Sequence, residues 1–321
     1  MGRCNNKAKL CIIGKVTRTA ILLLGKPEAD HYIAPGQATI TWILKDRDGR
    51  EKDYAHFGTP LLLAVDEVLK KIRNLKFRYI VRETLFPEEV DRYDPFIIRE
   101  ALHNCIAHQD YTLGGRIHVV EFEDDRLIFQ NAGSFIPESV ENVVLKNAPE
   151  TRYRNPFLSA AMVNLDMIDT IGSGIRRMFE IQKEKYFPLP DYDLGRQRVQ
   201  VTVTGKIMDI DYARKLARMD GLAMEDIIML DKLQKGYELS HAEAKQLKRK
   251  QLIEGRRPNY YISSGVAAQT KQKESYIRTR TIASDHYKKL VLDLLDKFGS
   301  ASRKEIENLI IPMLPDMLSM K

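Results

Sequence analysis

Two runs of alternating residues, Arg116 to Phe122 and Arg126 to Gln130, stand on either side of Asp124-Asp125. Alternation sends one set of side chains into a core and the other outward, and the acidic pair between the runs reads as the turn that joins them. Ahead of the paired runs, Pro95 to His108 reads as a helix with proline in its first turn. Behind them come a helix near Asn155 to Leu165, a second helix opened by Gly172-Ser173-Gly174, and a strand from Arg198 to Thr204. This order predicts an α+β sandwich with one sheet covered on one face.

The flanks divide the rest. Residues 1–86 read as a connecting α/β segment packed on the next domain. It holds a helix from Thr17 to Leu24, a strand from Ala38 to Ile43, a hairpin turn at Asp48-Gly49, and a helix opened by Thr59-Pro60. Residues 87–205 form the sandwich. Residues 206–268 form a mostly helical domain, and 269–321 read as a linker and the start of a second helix-turn-helix.

Composition excludes several classes. No run of about 18 apolar residues is present to cross a membrane, and the longest early apolar stretch, Ala20 to Leu24, is too short for a signal-peptide core. The expectation is a cytoplasmic protein with no membrane partner. Cys4, Cys11 and Cys105 are odd in number and form no metal-type pair, which argues against a disulfide framework and structural zinc. No Gly-x-x-x-x-Gly-Lys-Ser/Thr loop occurs, because Gly25-Lys26 lacks the earlier glycine and runs into Pro27. A P-loop helicase motor is therefore not expected.

The net charge of +7 is unevenly spread. From Lys206 onward there are 22 Lys and Arg against 16 Asp and Glu, while residues 1–205 hold 29 against 28. A basic end on a nearly neutral body points to a polyanion such as double-stranded DNA. Within that end, a helix from Met224 to Leu233 stops at Gly236, and Ser240-His241-Ala242-Glu243 has the form of a capping box. The next helix, Ala242 to Leu252, presents Lys245, Lys248, Arg249 and Lys250. Gly255-Arg256-Arg257-Pro258-Asn259 then turns into Tyr260-Tyr261-Ile262. Helix, turn, basic helix and basic-tipped hairpin is the plan of a winged helix, with the second helix sized for a major groove and Arg256 and Arg257 placed for phosphates. The same plan also serves protein docking or dimerisation.

The helix around Arg99 to His108 carries a polar line. Glu100, Asn104 and His108 are four apart and share one face, while Ala101, Leu102 and Ile106 fall elsewhere. A carboxylate, an amide and an imidazole in line can activate water, ligate magnesium and contact phosphate. Taken alone, the line also suits a solvated helix face. Asn131-Ala132-Gly133 follows the second alternating run, and Gly172, Ser173 and Gly174 stand at a helix start, where free N–H groups suit an anion.

These segments resemble a known family. Arg99 to Tyr111, Asp125 to Phe135, Arg154-Asn155-Pro156 and Ile171 to Met178 are similar to the ATPase-like C-terminal domain of bacterial proteins described as RecG-like or as transcriptional regulators. That domain is related to the GHKL-type fold of gyrase, histidine kinases and MutL. Leu252 to Ser263 looks like the winged helix that follows it there. The resemblance implies that Glu100 polarises the attacking water and that Asn104 ligates magnesium. It also implies that His108, Asn131, Gly133, Gly172, Ser173 and Gly174 contact ATP. Asn131 stands where the superfamily has an adenine-reading aspartate, so the acceptor is kept and the charge is lost. The family carries an Alba-like, Schlafen-type domain ahead of this region, and the chain is expected to be cut at both ends.

Three functions follow as expectations. One is a DNA-binding transcriptional regulator with a nucleotide-responsive domain. Another is a non-enzymatic scaffold or oligomerisation module with a degenerate ATP site. The last is a slow magnesium-dependent ATPase. A homodimer is consistent with reading paired half-sites.

Overall fold

The computed structural model describes residues 10–80, 87–137, 139–145, 152–168, 173–185, 187–206 and 222–262, with a few positions between 292 and 306. The chain divides into two compact units, Met1–Met208 and Asp209–Lys321.

The first unit opens with two-residue strands β1 (Cys11–Ile12) and β2 (Lys15–Val16) and helix α1 (Arg18–Leu24). The hydroxyl of Thr17 caps α1 by accepting from Ala20 N at 3.1 Å. Strands β3 (Ile40–Lys45) and β4 (Glu51–Phe57) follow, then α2 (Leu61–Lys71), the hairpin β5 (Lys76–Ile80) and β6 (Pro87–Asp91), and α3 (Pro95–His108). Pro60 takes the cap position of α2 rather than its first turn. After α3 come β7 (Ile117–Phe122), β8 (Arg126–Ala132), α4 (Val140–Leu145), α5 (Pro156–Asn164), α6 (Gly174–Glu184), β9 (Asp191–Leu194) and β10 (Arg198–Thr204).

Six of these strands make one mixed sheet in the order β4-β3-β7-β8-β10-β9. The pair β3–β7 is parallel, with Ile40 opposite Ile117, and the other neighbours are antiparallel. Two strands thus come from the segment that sequence alone set apart as a connector.

Burial alternates along β7 and β8, as the pleat requires. Ile40, Trp42, Leu44, Ile117, Val119, Leu127 and Phe129 turn to one face, each at most 2% exposed. Against that face α3 lays Ile97, Ile98, Leu102 and Ile106, and α2 adds Leu61 and Val68. Burying each such side chain contributes about 1.5–3 kcal/mol, which holds α3 in one rotational setting. The polar line of α3 is then fixed in direction by the apolar stripe behind it.

One buried charge belongs to this core. Glu121 is 0% exposed on β7. Its carboxylate accepts from Trp42 Nε1 at 3.0 Å, from the backbone N–H of Arg73 and Asn74 at 3.0 and 2.9 Å, and from Asn74 Nδ2 at 2.8 Å. A buried carboxylate is tolerated when its lone pairs are met in this way. The arrangement locks the end of α2 to the sheet. Cys105 is free and buried in α3. Cys11, contrary to the sequence expectation, is disulfide-bonded, with its partner outside the described residues.

The second unit contains α7 (Met224–Gln234), α8 (His241–Arg249) and the hairpin β11 (Ile253–Arg256) and β12 (Asn259–Ile262). Met229, Leu230, Leu239, Ala244, Leu247 and Ile253 form its core. Ser240 and Glu243 make the reciprocal capping box, at 3.2 Å from Glu243 N to the Ser240 hydroxyl and 2.8 Å from Ser240 N to the Glu243 carboxylate. Gly255, at φ +94°, has no room for a side chain, because a Cβ there would overlap the Asn259 carbonyl. The linker and second helix-turn-helix expected over 269–321 lie essentially outside the described residues. No helix among the described residues is long and apolar enough to cross a membrane.

Candidate functional site

A cavity of about 140 Å³ opens in the first unit between α3 and the β8–β10–β9 side of the sheet. That is room for several waters, hence for a ring system rather than one bridging solvent molecule. Helix α3 contributes Glu100, Asn104 and His108, so the polar line read from sequence does converge on one space. The sheet contributes Phe129, Asn131, Tyr192, Val199 and Val201, and α6 contributes Gly174 and Ile175. Ser134 to Pro137 and Tyr153 complete the wall.

The polar groups are already oriented. Asn104 Nδ2 donates to Glu100 Oε1 at 2.9 Å, the bond expected four residues apart on a helix. Asn131, 5% exposed, spends its amide N–H groups on the carbonyls of His108 at 3.3 Å and Ala132 at 3.0 Å. Its side-chain oxygen is therefore the acceptor left for a ligand. Gly174 packs so closely on Glu100 that a Cβ there would overlap the carboxylate. The start of α6 is thus filled by an internal anion.

Three amides fasten the end of α3, where a helix leaves carbonyls without partners. Asn131 takes the His108 carbonyl. Asn155 donates to the carbonyls of Ala107 and Gln109 at 3.0 and 2.8 Å. Gln109, 0% exposed, donates to the Gly115 carbonyl at 2.7 Å and accepts from Ala132 N at 2.8 Å. Gln109 and Asn155 had no assigned role in the sequence reading. Their signal was present, since an amide following a helix is a ready cap for carbonyls.

Some expected ligand contacts fall elsewhere. Gly133, at φ +116°, is not part of the cavity wall. It lies under Arg154, whose Nε would be 2.9 Å from a Cβ at that position. Arg154 in turn donates to the Ser134 carbonyl at 2.8 Å and pairs with Asp110 at 3.2 Å. Ser173 precedes α6 without a side-chain cap and is also absent from the wall. Gly172 lies outside the described residues. The wall is richer in rings than expected. His108 and Tyr153 lie nearly parallel, with centroids 6.1 Å apart and 16° between planes. Phe135 tilts against Tyr192 at 6.2 Å. Burial holds the Tyr192 hydroxyl well above the usual tyrosine range, with the negative charge of Glu100 adding to the effect.

Glu100 and Asn104 together suit magnesium. They offer hard oxygen donors, and magnesium typically takes one or two protein ligands and completes its shell with water and phosphate. No cluster of three or more His, Cys, Asp or Glu suited to a metal exists among the described residues.

In the second unit, Lys245 and Arg249 are exposed on α8 and Arg257 is exposed at the hairpin tip, while Arg256 is half-buried. Lys248 holds its ammonium 5.5 Å from the Tyr260 ring centroid. Arg257 has Glu238 at 3.7 Å. Lys250 is exposed as well and has an internal partner. Its ammonium bonds both oxygens of Asp226, at 2.9 and 2.7 Å. Asp226 is fully buried and also accepts from Gln246 Nε2 at 3.2 Å. Burial makes the Asp226 charge costly unless it is paired, and Lys250 supplies the counter-charge.

Comparison with known proteins adds the following. Residues 114–203 match the family described as "Putative ATP-dependent DNA helicase recG C-terminal". This supports an ATPase-like domain there. The match covers β7 to β10 and stops short of α3. No curated protein matches. Among solved structures, the DIP2311 protein from Corynebacterium diphtheriae is similar at 18% identity with a TM-score of 0.53. The similarity covers 84% of this chain and 60% of that one. It is a likeness of fold, and the chain spans about 60% of that relative's length.

Proposed function

We propose that this chain is a DNA-binding transcriptional regulator whose first unit binds an adenine nucleotide with magnesium. The observation that carries the nucleotide half is the convergence of Glu100, Asn104, His108, Asn131 and Gly174 on one cavity. Residues 87–205, with β3 and β4 added to their sheet, form the ATPase-like body, and 206–268 form a winged helix. Asn131 offers its remaining acceptor to an exocyclic amine, and the rings of the wall stack on the base. Asn104, with Glu100 beside it, would hold magnesium, which would neutralise phosphate charge when bound. Glu100 polarises water in any slow hydrolysis.

The DNA half rests on α7, α8 and the β11–β12 hairpin, with Lys245, Lys248, Arg249, Arg256 and Arg257 as the phosphate-facing set. Nucleotide occupancy changes DNA affinity to the extent that nucleotide binds two states of the protein unequally.

Calorimetry with ATP and magnesium tests the first half. Binding by the wild type that is lost in Asn104→Ala supports the reading. Absence of heat at millimolar ATP in both would reduce the first unit to a scaffold. Fluorescence anisotropy with duplex DNA at several salt concentrations tests the second. Loss of affinity and a shallower salt slope are expected in R256E/R257E.

A further inference from the structure

The cavity carries an unusual charge balance for a phosphate site. Among the described residues of its wall, Glu100 is the one Asp or Glu, and neither Lys nor Arg is present. The feature expected to greet phosphate, the N–H groups at the start of α6, has the Glu100 carboxylate packed directly on Gly174. A phosphate brought to that position meets a carboxylate of the same sign, in a space walled by Phe129, Phe135, Ile136, Tyr153 and Tyr192. Like charges repel more strongly as water is removed. The rest of the wall suits an uncharged heteroaromatic ring, with ring faces for stacking and one amide oxygen for an amine.

We infer that Glu100 makes this cavity discriminate against metal-free phosphate chains, so that without a divalent cation it takes a neutral purine nucleoside in preference to the triphosphate. The inference rests on the nucleotide reading above and adds a selection rule to it. A divalent cation held at Glu100 and Asn104 would offset the carboxylate charge and remove the discrimination. Glu100 thereby sets which form of the ligand is accepted, independently of any turnover.

The test is calorimetry on the full chain in EDTA with adenosine, AMP, ADP and ATP. In the wild type the affinity should fall along that series, with adenosine at least tenfold tighter than ATP. Glu100→Gln should raise the ratio of metal-free ATP affinity to adenosine affinity tenfold or more. The wild-type series stands by itself if the variant fails to fold. ATP binding as tightly as adenosine in EDTA overturns the inference and leaves the nucleotide reading intact. An unchanged adenosine-to-ATP ratio in a folded Glu100→Gln protein also overturns it. No binding of adenosine or ATP, with or without magnesium, overturns the nucleotide reading itself.

Discussion

Gly174 and Glu100 are in direct contact: the bare backbone at the start of α6 lies against the carboxylate of α3, with no space for a β-carbon between them. On propensity alone, replacing a helical glycine by alanine is favourable by about 1 kcal/mol. Here the sign should reverse. Gly174→Ala forces either the carboxylate or α6 to move, and overpacking of this kind costs about 1–3 kcal/mol. Urea denaturation should show the loss, and Glu100→Ala should largely relieve it in a double-mutant cycle. Simple additivity of the two changes would contradict the contact.

Glu121 supports a second prediction. Its carboxylate satisfies four donors from Trp42, Arg73 and Asn74. Glu121→Ala leaves the buried Trp42 indole N–H without its acceptor and removes that of the part-buried Arg73 and Asn74 donors, a loss of about 1–3 kcal/mol. Trp42 is the one tryptophan of the chain, so its fluorescence reports the site directly. A lower unfolding midpoint together with an altered emission maximum is expected. Unchanged emission would mean that the indole N–H has another acceptor.

His103 gives a pH dependence. It is 5% exposed, and burial, aided by the nearby charge of Arg99, lowers its imidazole to about 4. The unfolded chain takes up a proton near pH 6.5 and the folded chain does not until about 4. Stability is therefore full above 6.5, falls as pH drops through this window, and levels off below it. The loss is at most about 3 kcal/mol. Urea midpoints between pH 7 and 5 should decline more steeply for the wild type than for His103→Gln. Parallel slopes would remove His103 as the cause.

Lys250 and Lys245 should separate cleanly. Lys250→Met deprives Asp226 of its counter-charge and should destabilise the second unit by about 1–3 kcal/mol, the partial exposure of the lysine tempering the effect. It should leave the salt slope of DNA binding unchanged. Lys245→Met should leave stability unchanged and reduce that slope by about 1. Reversed outcomes would place Lys250, not Lys245, on the DNA.

Much of this was readable from residues alone. The periodicity of Pro95 to His108 gave α3 end to end, and alternation gave β7, β8 and β10, because each buries one face against a long partner. The short strand β9 escaped notice because its four residues include two aspartates and it is held by β10 alone. The position of Glu100, Asn104, His108 and Asn131 around one space was legible from helical spacing and strand ends. The ring-rich wall was not, since Phe129, Phe135, Tyr153 and Tyr192 come from separate segments that only the folded sheet brings together. Lys250 gave no sign of its bond to Asp226 for a related reason. Its helical phase looks exposed, and its partner lies 24 positions away.

The parallel pairing of β3 with β7 also bears on how the chain reaches its native state. The Trp42–Glu121 bond joins positions 79 apart, and α2, the β5–β6 hairpin and α3 must all be accommodated between them. Closing so long a loop is entropically costly before any contact repays it, and such non-local pairing slows folding. The β7–β8 hairpin can form early, because its partners are close in sequence. β3 and β4 can dock only later. During synthesis, β3 and β4 leave the ribosome well before β7 exists to receive them, so the first strands made are among the last to find their place.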